Sequence, residues 1–326
     1  MAPYQAVIAI LSMIFLVACQ QAAPEKINEY VHTDNGAYTA DLSTNGQYAV
    51  ISSAQGIMTW QLDKNLPKYI WHHKANELNQ VIYVHIAHDN SVVATAESQK
   101  VALWNLQTGR NKGFWSVAES PIEQVKVSNQ GKILAVALQN GVIEIYNLDS
   151  GRRLRFLGHQ ERISQIDISA NGQYLLSGDY AGKAILWDTK TAQVVYDFSH
   201  QGRITQVKLD NQGRYAFTAN NFKQSYIWDL QSGEKLSQLQ YPMRQLIFSS
   251  VEFSNNGKYL ATGAPNKKIK YWHVQTGELL SQWSFKADGF AASVLDFAFS
   301  ENDRTLLAEN SFGLAEEWDI SELNIH

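Results

Sequence analysis

The chain has 326 residues, of which 45% are hydrophobic and 18% are charged, a composition typical of a folded globular protein. Its formal net charge is −4, so it lacks the basic field that nucleic-acid binding usually needs, and we expect no nucleic-acid partner. The single cysteine, Cys19, excludes an internal disulfide and leaves the redox compartment undetermined.

The chain begins with a short apolar segment. Residues 6–18 form 13 consecutive uncharged positions, whereas a membrane-spanning helix needs about 20. A segment of this length is typical of the apolar region of a signal peptide. It ends in Leu16-Val17-Ala18-Cys19, which resembles the lipobox of bacterial lipoproteins.

The resemblance to a lipobox implies cleavage before Cys19 and acylation of the new N-terminal cysteine, which would anchor the protein stably to a membrane. Met1 to Gln5 departs from the pattern because it contains no Lys or Arg. An ordinary signal peptide, or a buried helix with a chance cysteine, stays open as an alternative. The residue after the cysteine is Gln20 rather than Asp, which in enterobacterial lipoproteins implies sorting to the outer membrane. We therefore expect a signal peptide over 1–18, a polar tether over 19–28 and a folded body over 29–326.

A tight turn recurs seven times along the body. The spacings between its successive last residues are 44, 41, 41, 41, 44 and 46 residues. Asn and Gly are frequent in this turn because they tolerate the positive φ that hairpins require. The last residues of the seven turns are Gly46, Asn90, Gly131, Gly172, Gly213, Gly257 and Asp303.

An aromatic residue ends the third strand of every unit, 14 or 15 residues after the turn. We expect these aromatics to be structural residues of each unit, and they are Trp60, Trp104, Tyr146, Trp187, Trp228, Trp272 and Trp318. Two independent markers therefore keep one register through seven units. A fourth strand follows most of the aromatics after a second turn. Four short strands in about 42 residues are the signature of one blade of a β-propeller.

The repeat length, the Trp-Asp endings at 188, 229 and 319, and Gly158-His159 before the fourth unit resemble the WD-repeat family over roughly residues 30–320. The resemblance implies an all-β, seven-bladed WD-type propeller with four-stranded antiparallel blades. The last unit lacks a convincing fourth strand, and Glu29 to His32 form a spare strand before the first unit. We expect this N-terminal strand to complete the last blade and close the ring.

In WD repeats, a His, a Ser or Thr, the Trp and an Asp form a buried hydrogen-bond network. The Asp normally stands six residues before the Trp, and no unit of this chain has an Asp there. Histidines occupy the upstream position at His159 and His200, and also at His32 and His73 as weaker matches. The sequence therefore predicts blades that depend mainly on apolar packing.

No enzyme chemistry is indicated by the motifs. The chain has no Gly-x-Ser-x-Gly elbow and no glycine-rich phosphate loop, and Cys19 is expected to be acylated. His85-x-x-His88 looks like a metal-ligand pair, but its members fall on a strand and in the following turn, so a structural role is favoured over a metal site. We expect no catalytic residue, no metal and no cofactor.

WD propellers bind partners through residues just before the first strand of each blade. On this chain the resemblance selects a partner-binding face that consists of Gln80, Arg162, Arg203, Ile247 and Ser293. Arg162 and Arg203 fall on adjacent blades, and arginine is enriched in binding hot spots. Such a face suits an acidic or polar peptide, although ordinary surface arginines stay open as an alternative.

The leading interpretation is a non-catalytic protein-interaction scaffold, anchored by lipid in the bacterial cell envelope and displayed in the periplasm. The protein partner is unidentified and the oligomeric state is left open. One alternative is a propeller enzyme, a hydrolase or lyase, with its site in the central channel. Another is a binder of small ligands or carbohydrates that uses channel aromatics such as Tyr38 and Tyr83.

Overall fold

The computed structural model describes residues 23–75, 77–117, 119–241, 247–285 and 292–324. Seven four-stranded antiparallel sheets form the blades of a ring. Blade one contains β2 (Thr39–Leu42), β3 (Tyr48–Ser53), β4 (Gly56–Gln61) and β5 (Leu66–Trp71), and blade two contains β6 (Tyr83–Ile86), β7 (Val92–Ala96), β8 (Lys100–Asn105) and β9 (Asn111–Ser116). Blade three contains β10 (Ile122–Val127), β11 (Ile133–Leu138), β12 (Ile143–Asn147) and β13 (Arg153–Phe156), and blade four contains β14 (Ile163–Ile168), β15 (Tyr174–Asp179), β16 (Lys183–Asp188) and β17 (Gln193–Ser199).

Blades five and six contain β18 (Ile204–Leu209), β19 (Tyr215–Asn220), β20 (Ser225–Asp229) and β21 (Lys235–Gln238); and β22 (Ser250–Phe253), β23 (Tyr259–Gly263), β24 (Lys268–His273) and β25 (Leu279–Ser284). Blade seven combines β26 (Val294–Phe299), β27 (Thr305–Asn310) and β28 (Leu314–Asp319) with β1 (Glu25–Val31). The fold predicted from the repeats is therefore confirmed. The helical elements of the described residues are three short 3₁₀ turns, Leu62–Lys64, Asn129–Gly131 and Ser321–Asn324. Among these residues, no helix is long and apolar enough to cross a membrane.

The seven turns predicted from the sequence adopt the left-handed conformation at their last residue. The φ angles lie between 55° and 73° at all seven positions, including the non-glycine residues Asn90 and Asp303. Side chains with a β-carbon rarely adopt this conformation, and Asn and Asp tolerate it best. The residue pattern that marked the repeats is thus a direct consequence of the backbone geometry of each hairpin.

The N-terminal strand closes the ring as predicted. Strand β1 pairs antiparallel with β28, with Glu25 opposite Asp319 and Val31 opposite Leu314. The strand begins at Glu25, so the expected polar tether over 19–28 is too long: its last four residues belong to blade seven, where Asn28 Nδ2 donates a hydrogen bond of 2.7 Å to Glu317 Oε2. Cys19 lies outside the described residues.

The core consists of seven apolar clusters, each of which lies between two neighbouring blades. One cluster joins blades three and four, and another joins blades four and five. An aromatic from an outer strand stacks on the Trp of the next blade, as Trp71 does on Trp104 at 5.0 Å and Phe198 on Trp228 at 4.4 Å. Since no blade can bury both of its faces alone, the ring is stabilised as a unit by these interfaces.

The disc has two chemically different faces and a rim. The face that we call the loop face carries the segments between blades and the turns between second and third strands. The opposite face, the turn face, carries the turns between first and second strands and between third and fourth strands. The first strands line the central channel, and the fourth strands form the rim.

Candidate interaction face and central channel

Blade four contains the buried His–Asp network that the sequence analysis judged absent. His159 Nδ1 lies 2.8 Å from Asp179 Oδ2, and His159 Nε2 lies 2.6 Å from Ser177 Oγ. Trp187 Nε1 donates to the same hydroxyl at 2.8 Å. Because a carboxylate only accepts, Nδ1 carries the proton and Nε2 accepts from the serine. The expectation that every unit lacks the Asp was therefore wrong.

The error was one of spacing. Asp179 is the last residue of β15 and stands eight residues before Trp187, not six. Its Oδ1 accepts from the backbone N–H groups of Ala181 and Lys183, so the same carboxylate also caps the following turn. A single side chain therefore joins the turn to the buried histidine, and the prediction of blades held mainly by apolar packing fails for blade four.

Other blades retain parts of this network. In blade two, Thr95 Oγ1 lies 2.7 Å from His73 Nε2 and accepts from Trp104 Nε1 at 2.8 Å, while His73 Nδ1 lies 3.1 Å from Glu97 Oε1. In blade five, His200 Nε2 lies 2.8 Å from Thr218 Oγ1, which accepts from Trp228 Nε1. Asn220 stands in the place of the Asp.

His200 lacks a second partner. Its Nδ1 is buried and has no hydrogen-bond partner among the residues described by the structure. Burial lowers the pKa of His200 to about 4. His32, by contrast, reaches back to blade seven, where its Nδ1 lies 2.7 Å from Glu309 Oε2. The four histidines His32, His73, His159 and His200 therefore occupy structural positions on the loop-face side of the ring.

The seven blade aromatics lie at equivalent places on the third strands, but their polar atoms have different partners. Trp272 Nε1 donates to Thr262 Oγ1 at 2.9 Å, and the Tyr146 hydroxyl donates to Glu144. Trp60 Nε1 is buried without a partner among the described residues, and Trp318 is 3% exposed within the cluster between blades six and seven. The aromatic position is therefore fixed by packing, while the hydrogen bond varies with the neighbouring strand.

Arg162 and Arg203 are brought together on the loop face, as their spacing predicts. Both guanidinium groups lie over the ring of Tyr180, with centroid distances of 5.5 Å and 4.5 Å. Arg162 is also ion-paired with Glu123, to which its Nε and Nη2 donate at 2.9 Å and 2.7 Å. Arg203 is exposed and has no carboxylate partner among the described residues. The sequence alone did not identify Tyr180 as the link between the two arginines.

The remaining candidate residues lie on the same face but at other blades. Gln80 and Ile247 are exposed in the segments before blades two and six, and Ser293 is partly buried before blade seven. Ser293 O accepts a hydrogen bond of 2.9 Å from Ser311 N, and Arg162 O and Arg203 O accept equivalent bonds from Tyr180 and Asn221. The structure gives no direct contact between these three residues and the arginine pair, so the face is a ring of separated positions.

Exposed apolar side chains are distributed unequally over the disc. Sixteen large hydrophobic side chains are well exposed among the described residues. Eight of them lie on the loop face, namely Tyr38, Leu78, Ile82, Leu157, Tyr180, Phe222, Ile247 and Phe312. The other eight lie on the rim, and within the described part of the chain the turns of the turn face carry none. The two faces therefore differ in the apolar surface that they offer to a partner.

The central channel contains a polar cavity of about 240 Å³ that is lined by the first strands. Its mouth on the loop face is formed by Tyr38, Ile82 and Tyr83, so the two tyrosines lie at the channel as the sequence suggested. A layer of three glutamines follows on consecutive blades, in which Gln124 Nε2 donates to Gln165 Oε1 at 2.9 Å and Gln206 Nε2 donates to Ser249 O at 3.0 Å.

A ring of buried and partly buried titratable side chains lies nearer the turn face. Equivalent positions on the first strands of blades one to six hold Asp41, His85, Lys126, Asp167, Lys208 and Glu252, and Asp296 of blade seven stands two residues before its equivalent position. Lys126 Nζ lies 3.6 Å from Asp167 Oδ1, and Lys208 Nζ lies 2.5 Å from Glu252 Oε2. Three of the acids bind backbone N–H groups of the next blade, with Asp41 accepting from Ile86, Asp167 from Leu209 and Asp296 from Leu42 at 2.7 to 2.8 Å.

Burial and mutual repulsion decide the charge state of this ring. Burial, reinforced by Asp296, raises the pKa of Asp41 well above its usual value, and burial also raises the pKa of Asp296. Burial raises the pKa of Glu252 to about 7, although Lys208 opposes the shift. Asp167 behaves differently: burial opposes ionisation, but Lys208 and Lys126 together lower its pKa. The acids of blades six, seven and one are thus protonated more readily than Asp167, which lies between the two lysines.

The positions of His85 and His88 limit the chemistry that the channel can perform. His85 Nδ1 accepts from Val127 N at 3.0 Å, so one ring nitrogen is occupied by the neighbouring blade. The rings of His85 and His88 are 6.2 Å apart, and the described residues contain no cluster of His, Cys, Asp and Glu that could hold a metal ion. Burial lowers the pKa of His85 well below its usual value and that of His88 to about 4.

Comparison with known proteins agrees with this architecture. The family described as the NWD2 C-terminal β-propeller matches residues 116–308, which is more than half of the chain. A WD repeat-containing protein, slp1 of Schizosaccharomyces pombe, is 37% identical over 75 residues, or 22% of this chain, and the match spans only 15% of that protein's length. The β-propeller domain of Cps50 (Swd1) from Myceliophteria thermophila is similar in structure, with a TM-score of 0.73 and 17% identity, covering 90% of this chain and 99% of the other.

Proposed function

Because the chain belongs to the family of NWD2 C-terminal β-propellers, we propose that it is a non-catalytic protein-interaction scaffold. The observation that carries this proposal is the chemical difference between the two faces. The loop face holds eight exposed large hydrophobic side chains together with Arg203, and the described turns of the opposite face hold none. An exposed arginine among aromatic side chains is the composition of a binding hot spot.

The proposed partner presents a carboxylate beside an apolar side chain. Arg203 is the cation available to it, because Arg162 is already paired with Glu123. The ring of Tyr180 lies against the Arg203 guanidinium. Phe222, which is 58% exposed, provides an adjoining apolar surface on the next turn. Gln80, Ile247 and Ser293 extend this surface around the ring.

Affinity capture from native membranes tests the proposed face. Wild-type protein should retain a protein partner, and Arg203→Glu should lose most of it because the substitution reverses the charge that meets the carboxylate. Arg152→Glu is the matched control, since Arg152 is an exposed arginine in a turn of the opposite face. Equal capture by both variants, or no protein above background with the wild type, would contradict the proposal.

We further propose that a lipid on Cys19 holds the scaffold at the bacterial cell envelope, with outer-membrane sorting and the propeller in the periplasm. The support is the uncharged segment 6–18 followed by Leu-Val-Ala-Cys. Radiolabelled palmitate should label the wild type and not Cys19→Ala, and membrane fractionation should recover the wild type with the outer membrane. Label that persists in the variant would refute the anchor while leaving the loop-face proposal intact.

The channel favours a second candidate function, the binding of a small polar ligand. The cavity of about 240 Å³ presents amide and carboxyl groups below two tyrosines. A thermal-shift screen with sugars and amino acids tests it, with Gln165→Leu as the variant that should remove any shift. A hydrolase or lyase site in the same channel remains the enzymatic alternative, for which a Gln165→Leu-sensitive turnover would be required.

A further inference from the structure

Most of the exposed apolar side chains of the rim lie on one side of the disc. Eight well-exposed large hydrophobic side chains lie on outer strands, and six of them belong to the adjoining blades seven, one and two. We call this set the apolar rim, and it consists of Ile27, Val31, Leu66, Ile70, Phe114 and Trp115. The other two, Val194 and Val195, lie on blade four across the ring.

A comparison of equivalent positions shows that this asymmetry is a property of particular blades. In each blade, one outer-strand residue pairs with the third-strand residue that stands two positions before the blade aromatic. This outer-strand residue is Ile70 in blade one and Phe114 in blade two, and these side chains are 55% and 45% exposed. In the other five blades the same position is polar or charged: Arg155, Asp197, Gln238, Gln282 and Glu29. Polar residues are the usual protection of an outer strand, so blades one and two lack that protection at this position.

The N-terminal segment enters the fold at this same side. Strand β1 is itself part of the apolar rim, and it begins at Glu25, six residues after Cys19. Six residues span at most roughly 20 Å when fully extended. A lipid on Cys19 would therefore hold blade seven and its neighbours close to the bilayer, whereas blades four and five, which carry the Arg162–Tyr180–Arg203 cluster, lie across the ring.

The charges on the outer strands of blades one and two suit a lipid surface. Lys68 and Lys112 lie on the outer strands of blades one and two, and neither has a carboxylate partner among the described residues. The Lys68 ammonium rests over the rings of Tyr48 and Tyr69, at 4.8 Å and 5.5 Å. Apolar side chains flanked by lysines that have no carboxylate partner are the arrangement with which proteins contact the headgroup region of anionic membranes.

We propose that the apolar rim of blades seven, one and two rests on the bilayer to which Cys19 is attached. This inference depends on the proposed lipid anchor. It places the disc on its edge, so that the loop face at blades four and five remains open to a partner. The occupant of the rim is the lipid surface itself, and not a second protein or the apolar segment 6–18.

Spin labels on single introduced cysteines test this orientation. Cys19 is the one cysteine of the chain, so acylation leaves only the introduced thiol to react. Acylated Ile70→Cys and Phe114→Cys are reconstituted in vesicles of phosphatidylethanolamine and phosphatidylglycerol, with Asp197→Cys as the control at the equivalent position of blade four. We expect the ratio of label accessibility to oxygen over a water-soluble nickel chelate to be severalfold higher at 70 and 114 than at 197.

The outcomes separate the inference from the anchor on which it depends. Equal ratios at all three positions in acylated protein would overturn the rim contact and leave the anchor standing. Labels at 70 and 114 that are shielded in native membranes but water-accessible in pure lipid vesicles would show a protein on the rim, which also overturns it. Shielding of the labels by segment 6–18, in uncleaved chains without lipid, would also overturn the rim contact. Absence of an acyl group on Cys19 by mass spectrometry would refute the anchor itself. Melting temperatures equal to that of the wild type exclude misfolding of the labelled chains.

Discussion

His159 Nδ1 donates a hydrogen bond of 2.8 Å to Asp179 Oδ2, and both side chains are buried in blade four. Asp179 also caps the turn through Ala181 and Lys183, so its removal leaves one buried ring N–H and two backbone N–H groups without their acceptor. This pair connects an inter-blade segment to a sheet. It provides a direct measure of how much a polar network adds to the apolar interfaces.

Asp179→Ala should lower the free energy of unfolding by about 3 kcal/mol, because the buried His159 ring N–H is left without an acceptor, at a cost of about 1 to 3 kcal/mol, and the turn loses its cap, at about 1 kcal/mol. Urea unfolding at neutral pH measures the loss. Asp188→Ala is the matched control, since Asp188 caps a turn on the outer side through Lys190 and Thr191 near solvent. Loss of such a cap costs about 1 kcal/mol. Equal losses in the two variants would show that the His159–Asp179 pair adds nothing beyond turn capping.

Asn220→Asp should supply the missing acceptor in blade five. Asn220 Oδ1 already accepts from the N–H groups of Phe222 and Gln224, as Asp179 does in blade four. The second oxygen of the new carboxylate would replace the Nδ2 that donates to Gln201 O and Gln224 Oε1, so it would turn from these acceptors towards His200 Nδ1. A neighbouring anion favours the protonated ring, and the pKa of His200 should rise from about 4. An NMR titration of the His200 ring measures the shift. Asn140→Asp, in the exposed turn of blade three, should leave the pKa of His200 unchanged.

The channel ring predicts a pH-dependent stability. Burial and Asp296 raise the pKa of Asp41 above its usual value of 3.8, with Lys126 and Lys208 opposing the shift. A carboxyl whose pKa is raised in the folded state keeps its proton after the unfolded chain has lost it, so the folded state loses stability as the pH rises from 3.8 through the folded pKa. Asp41→Asn removes this loss and retains an oxygen for Ile86 N–H.

The variant should therefore gain stability relative to the wild type between pH 4 and pH 8, and urea unfolding of both proteins at the two values measures the difference. Asp63→Asn, which alters an exposed carboxyl in a 3₁₀ turn, is the control. A difference between Asp41→Asn and wild type that is the same at both pH values would contradict the assignment of a raised pKa to Asp41.

The repeats were predictable from the sequence because each is enforced by local geometry. Gly46 and Asn90 mark hairpins that require positive φ, and Trp104 and Trp187 fill equivalent inter-blade positions, so both leave a spacing that can be read directly. The closure by β1 followed from the missing fourth strand after β28. These features depend on residues close together in sequence or on strict periodicity.

The functional surfaces were less predictable because they are assembled from residues about one repeat apart. The link between Arg162 and Arg203 depends on the ring of Tyr180, and the titratable ring of the channel is assembled from one side chain per blade without any local motif. Asp179 was missed because it stands eight residues before Trp187, and a search at one fixed spacing cannot find a carboxylate that reaches its histidine from the strand end. The equivalence of the positions of Ile70 and Phe114 can be recognised only when the outer strands are aligned by their pairing with the third strands.

Strand β1 should be essential to the stability of the ring. It covers the edge of β28 over six paired positions, and Lys26 reaches from it to the buried carboxylate of Glu316 at 3.5 Å. A chain that begins at His32 would expose the backbone groups of β28, which form a template for pairing with another chain. Compared with a chain that begins at Gln20, it should melt at a lower temperature and associate in a concentration-dependent way. Light scattering and thermal unfolding measure both effects, and faster hydrogen exchange confined to β27 and β28 would locate the damage in blade seven. A shortened chain that remains monomeric with an unchanged melting temperature would show that three strands suffice to close the seventh blade.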